Sequence, residues 1–261
     1  MLKGGGAPFD FVGFDACLMS TLEAAVVLEP YADYMIEPGI GWHYTGWISA
    51  LSTNTSMPTT NLGKRLIDDY VAEVRNRVPR SQATLSLVDL AEFKGTVPQA
   101  LAGFSSSTTE LLDTSDYQQV SDARAGAKEF SPQARLNQVD LIHFAENLGT
   151  SEADTLADAL RGCVKYNRTS TNISNANGLS VFFPYGGLGQ VGSMLDAYEQ
   201  IGIGDEYSEF VRSFASVSAD GRRYNKDAGT DMVAQGLIDI EAGDRITDIY
   251  GNRYWTPTIS D

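Results

Sequence analysis

Short β-type runs alternate along this chain with helix-length amphipathic stretches, and that alternation limits the fold more than any other feature of the sequence. Phe9–Asp15 is an aromatic and β-branched run after a Gly-Pro-rich stretch, which predicts a buried strand. Leu18–Tyr31 carries Leu18, Leu22, Ala25, Val26 and Leu28 at helical spacing and stops near Pro30. Asp33–Ile36 reads as a short strand. Asn61–Arg77 is a helix with Leu62, Leu66, Ile67, Tyr70, Val71 and Val74 on one face. Thr84–Leu90 reads as a strand, and Leu90–Leu112 as a helix with a break near Gly103. Helices are expected at Asp140–Leu148 and Thr155–Tyr166, then a polar loop at Asn167–Asn177 and a strand at Gly178–Pro184. Ser193–Ile201 and Glu206–Phe214 are further helices. The last forty residues change to short strands and turns at Leu237–Ile240, Ile246–Tyr250 and Arg253–Trp255. Strands separated by helices predict an α/β layered core around a mostly parallel sheet.

Charge narrows the partners. Lys plus Arg total 19 and Asp plus Glu total 34, a formal net charge of −15. Such a surface repels phosphate backbones, so a nucleic-acid partner is not expected. It attracts cationic ligands, although many soluble proteins are acidic without catalytic reason. Two cysteines in 261 residues form no disulfide framework and no zinc pattern. No metal site is read from the sequence. The longest apolar runs, such as Ala24–Leu28, are far too short to span a membrane. The first residues, Met1-Leu2-Lys3-Gly4-Gly5-Gly6, have no apolar segment of the kind a signal peptide needs.

Cys17 lies between the first expected strand and the first expected helix. Folds of this class place their chemistry at that junction. A helix N-terminus there would favour the thiolate. Asp15, two residues earlier, shares a strand face with Cys17. A carboxylate that close opposes thiolate formation, so Asp15 makes more sense facing a cationic substrate group. The plain alternative is that Cys17 is a small buried hydrophobe. Cys163, within an amphipathic helix, reads as core.

At this point the residues resemble a known family. Phe9-Asp-Phe-Val-Gly-Phe-Asp-Ala-Cys-Leu-Met19 is similar to the nucleophile segment of the clostripain family of cysteine peptidases. Tyr31-Ala-Asp-Tyr34, Glu37-Pro-Gly-Ile-Gly-Trp42, Tyr166-Asn-Arg-Thr-Ser170, and Asn175-Ala-Asn-Gly-Leu-Ser180 through Phe183-Pro-Tyr185 match in the same order. The resemblance implies a caspase-like α/β/α sandwich and a Cys–His dyad that cleaves proteins or peptides after Arg or Lys. It makes Cys17 the nucleophile and Asp15 the acid that receives the basic side chain. It also implies a bacterial enzyme acting outside the cell or at its surface. Some members respond to calcium, which the resemblance extends to this chain only as a cofactor with no assigned ligands.

Two departures matter. The family histidine precedes the cysteine at the end of the preceding strand, and none of the sixteen residues before Cys17 is histidine. The catalytic histidine is therefore not expected in this chain, which reads as N-terminally truncated, with the segment bearing it as a partner. The family also carries a short Ala-Ser-Glu-Glu stretch before Glu-Pro-Gly, whereas Ile36 here runs straight into Glu37. The two histidines present do not replace the absent one. His43 reads as part of an aromatic loop with Trp42, Tyr44 and Trp47. His143 is 126 residues after Cys17, near papain-like spacing, but the papain signature around the cysteine is absent. The domain expectation is a partial peptidase core with a helical insertion over 1–190 and a helical and β-hairpin extension over 191–261. The rival to a cysteine endopeptidase is a catalytically inactive binding or scaffold domain derived from one.

Overall fold

A computed structural model of the chain describes residues 8–14, 16–37, 52, 56–113, 117–134, 136–185, 190–219, 245–247 and 253–255. The order is β1 (Val12–Gly13), α1 (Leu22–Leu28), β2 (Tyr34–Glu37), α2 (Thr59–Arg77), β3 (Thr84–Asp89), α3 (Leu90–Asp113) and α4 (Tyr117–Gly126). There follow β4 (Glu129–Phe130), β5 (Gln138–Asp140), α5 (Leu141–Leu148), α6 (Ser151–Cys163), β6 (Val164–Thr169) and β7 (Ser180–Phe182). The last elements are α7 (Val191–Ile201), α8 (Asp205–Ala219), β8 (Arg245–Thr247) and β9 (Arg253–Trp255).

The strands form a four-stranded sheet, β1-β2-β3-β6, a three-stranded sheet, β4-β5-β7, and the β8–β9 hairpin. The expectation of a mostly parallel sheet is corrected. β1 and β2 are parallel, but β2–β3, β3–β6, β4–β5 and β5–β7 are all antiparallel. Strand–helix alternation implies parallel pairing only if each connection crosses the layer once. Here β2 and β3 pair antiparallel although α2 lies between them in the sequence.

The two faces of the central sheet feed separate cores, the arrangement of an α/β/α sandwich. Met35 joins a large core with residues of α1, α3, α5, α6 and α8. Its neighbour Ile36 points the other way and packs with Leu85 and Leu87 against the apolar face of α2. Helix α2 lies close to the sheet because Gly63 faces β3: a Cβ there would sit 3.0 Å from a Leu87 methyl. On the opposite side Phe104, Phe144, Phe183 and Phe210 form an edge-to-face and tilted aromatic cluster, with Phe183 to Phe210 centroids 4.8 Å apart. Tyr198, Tyr207, Phe210 and Phe214 of α7 and α8 belong to this same core.

Local signals account for the helix ends near the site. Thr21 caps α1 by accepting the Ala24 N–H, and Asp140 caps α5 by accepting the His143 N–H. Gly149, at φ 67°, ends α5 in the left-handed conformation. The expected break at Gly103 does not occur. Buried Leu101 and Phe104 on either side anchor α3, outweighing the roughly 1 kcal/mol that glycine costs a helix.

Three other expectations are revised. The run Phe9–Asp15 gives an edge strand of two residues with Phe9 and Phe14 exposed, and β1 pairs on one side only among the described residues. Helix α1 begins at Leu22, not Leu18, because Leu18 has φ +64°. Cys17 therefore sits in a turn, and no helix terminus supports it. Finally, α6 stops at Cys163, and β6 pairs with β3 where helix and loop were expected.

Candidate functional site

Between β1 and α1 the chain hands over from one sheet to the other. Val12 and Gly13 pair with β2, and Thr21 bridges to Ser180 of β7. The turn between them carries Cys17. Its thiol is exposed and reduced, and it has no hydrogen-bond partner among the described residues. Asp15, the expected partner of a basic side chain, lies outside the described residues, as do His43, Trp42, Tyr44 and Trp47.

The turn is held from three directions. Leu18 adopts a left-handed backbone that costs an L-residue about 1–2 kcal/mol, and it packs on buried Phe130, Ile173 and Ala176. Ser20 meets Ser86 of β3, Oγ to Oγ 2.8 Å, and both hydroxyls lie against the Gly178 carbonyl, 2.8 Å from Ser86. Ser180 donates twice to the Ser20 carbonyl, from its N–H at 2.9 Å and its hydroxyl at 3.0 Å. Gly178, at φ +118°, has no room for a Cβ, which would lie 2.9 Å from a Val164 methyl.

The loop that seats Leu18 is itself anchored by Asp140. One carboxylate oxygen accepts the Asn177 N–H at 2.6 Å. The other accepts the Asn177 side-chain amide and the His143 N–H, both at 2.9 Å. Burial pushes this carboxyl up to about 6, while its N–H donors pull the other way. Asp140→Ala removes the α5 cap and leaves buried donors unpaired. It should destabilise the protein by about 2–4 kcal/mol in urea denaturation. Asp140→Asn, which keeps one acceptor oxygen, should cost less.

Glu37 ends β2 at the same end of the sheet as the turn. It is fully buried, and neither carboxyl oxygen has a partner among the described residues. Desolvation pushes it up to about 9, so it is uncharged at neutral pH. In the sequence Glu37 and Ser180 stand out only as parts of motifs, and Ser20 and Ser86 do not stand out at all. Asp140 alone carries a local signal, a capping residue just ahead of an apolar helical run.

His143 is not placed as a dyad partner. Its Nδ1 accepts the Lys128 N–H at 2.9 Å, which ties α5 to the residue before β4. Cys163 is buried, its thiol donates to the Leu160 carbonyl at 3.2 Å, and burial pushes it up to about 12. That is a structural cysteine. Among the described residues no three His, Cys, Asp or Glu side chains come together to hold a cation. No helix among them is long and apolar enough to cross a membrane.

Comparison with known proteins agrees with this geometry. The sequence profile of the clostripain family matches residues 1–148, more than half of the chain. Comparison with curated protein sequences gives no match. Among solved structures, the chain is similar to a clostripain from Bacteroides thetaiotaomicron in complex with a peptide inhibitor. The identity is 13%, the TM-score 0.53, and the match covers 69% of this chain and 81% of that one. A cysteine protease of B. fragilis matches at 16% identity and TM-score 0.51, over 78% of this chain and 91% of that one. A secreted cysteine protease of B. thetaiotaomicron matches at 13% identity and TM-score 0.51, over 69% of this chain and 52% of that one. At such identities the likeness speaks to the fold, which is that of these caspase-like proteases.

Proposed function

We propose that this chain, which belongs to the clostripain family, is a cysteine endopeptidase component that cleaves after arginine or lysine with Cys17 as its nucleophile. One observation carries the reading. Within the matched region, the exposed thiol sits on a turn that the fold holds from several sides, at the handover between the two sheets. A cysteine serving only as packing would lie inside, as Cys163 does.

The Cys17 sulfur attacks the scissile carbonyl carbon, forming a C–S bond and a tetrahedral oxyanion. Backbone N–H groups near the turn stabilise that charge. The intermediate collapses to a thioester and expels the amine, which takes its proton from a histidine. Water then cleaves the thioester, releasing the acid and restoring the thiol. Asp15 receives the substrate's basic side chain, and the net charge of −15 favours cationic substrates.

Neither the residues before Cys17 nor His143 supplies that histidine. In the family that histidine lies on the strand before the nucleophile, and β1, which pairs on one side only among the described residues, has an edge for such a strand to pair with. Such a peptidase works on proteins outside the bacterial cell or at its surface, the setting of the secreted relative. The test mixes this chain with a histidine-bearing segment designed after the family's preceding strand and follows an arginine-containing reporter peptide. Cleavage that EDTA abolishes would assign calcium a part. Peptide binding without cleavage would replace the reading with a non-catalytic scaffold.

A further inference from the structure

We propose that Ser86 is a positioning residue for Cys17, a role that rests on Cys17 being the nucleophile. Ser86 lies in the middle of β3, 1% exposed, among Leu85, Leu87 and Val88. A hydroxyl buried in an apolar strand is costly unless it is bonded. This one is bonded to the nucleophile turn, through Ser20 at 2.8 Å, and to the Gly178 carbonyl at 2.8 Å. It also lies 3.4 Å from the Glu37 carbonyl.

Two hydroxyl protons serve this cluster. One fills the Ser20–Ser86 contact and the other goes to Gly178, so each hydroxyl fixes the other's orientation. Ser180 grips Ser20 from the second sheet, and Ser86 grips it from the first. Removing the Ser86 hydroxyl leaves the turn tied to β7, to the 170–178 loop and, through β1, to β2, but removes its side-chain tie to β3. Cys17 is three residues from that tie. The turn that presents the Cys17 thiol then loses part of its fixed geometry.

Alkylation of the full chain by iodoacetamide at neutral pH, followed by mass spectrometry, reads this directly. Buried Cys163 stays unlabelled while the protein is folded, which checks each variant internally. Ser86→Ala should slow Cys17 labelling at neutral pH by about 5-fold. Ser86→Thr keeps the hydroxyl at the same position on β3. It should return the labelling rate to that of the wild type.

Ser105→Ala removes a comparably buried hydroxyl, bonded to the Leu101 carbonyl in α3, and should leave Cys17 labelling unchanged. Should Ser86→Ala label at Cys163 and so be unfolded, Ser20→Ala removes the same bond from the turn side and carries the same expectation. Wild-type labelling in whichever variant folds overturns the role. Unfolding of both overturns it too, because the bond would then hold the whole fold and not the turn. Retained cleavage by Cys17→Ala would sink the nucleophile reading instead, and labelling rates do not depend on that result.

Discussion

Cys17→Ala should leave the mixture of this chain and its histidine-bearing segment without measurable cleavage of an arginine reporter. The expected loss is at least about 10³-fold in kcat/KM, the scale seen when a covalent nucleophile is deleted. No other described group can take over. Cys163 is buried and held protonated, and the serines nearest the turn spend their hydroxyls on one another and on backbone carbonyls. The substitution should be structurally mild, because the Cys17 side chain is exposed and makes no described hydrogen bond. A thermal midpoint within a few degrees of the wild type would confirm that activity, not folding, was lost. Residual cleavage close to wild type would remove Cys17 from the reaction. The same assay tests Asp15: Asp15→Asn should raise KM for arginine and lysine peptides far more than for neutral ones.

How much of this was legible in the sequence depends on the range of the signal. Helix α2 and strand β3 were plain, because an apolar stripe and a β-branched run are local patterns that burial then rewards. The nucleophile segment was plain as a candidate, and the ordered family motifs raised it further. Helix α4 escaped because Gln118, Gln119, Ser121 and Asp122 dilute its apolar side, leaving Val120 and Ala123 to meet the core. Strand β6 escaped because it is an edge. Lys165 and Arg168 point to solvent and to the acids Glu92 and Asp68, so the run reads as polar loop. Strand direction was invisible because connection length, not strand composition, decides it. The tie between Ser20, Ser86 and Gly178 spans separations of 66, 92 and 158 residues, and no local pattern announces it. The candidate site is thus a local cysteine signal on a non-local mount, and only the first half shows in one dimension.

Glu37→Gln should stabilise the protein by about 3.5 kcal/mol at pH 7. The carboxyl's ordinary value is 4.5 and its folded value about 9, raised by burial. At pH 7 the unfolded chain has released this proton and the folded chain holds it. Folding must therefore take up a proton from a solution about 2.5 units above the unfolded pKa, at about 1.4 kcal/mol per unit. For an acid with a raised folded pKa, stability is greatest below the unfolded value. It falls as pH rises from 4.5 towards 9, and flattens beyond. Glutamine matches the neutral acid in shape and polarity and has nothing to ionise. The two proteins should be nearly equal in stability at pH 4 and should diverge steadily to pH 8.5, by about 5 kcal/mol. Asp140 titrates in both and cancels in the difference. Urea denaturation at four pH values measures that difference, and parallel stability curves would show that Glu37 is ionised or solvated in the folded chain. The position matters to the site as well as to stability. Glu37 follows Ile36 directly, without the residues the family inserts there, and its backbone carbonyl lies against the Ser86 hydroxyl. A neutral Glu37 therefore lets β2 close against the mount of the Cys17 turn, whereas a buried carboxylate would drive water into the sheet end that holds Ser86 in place.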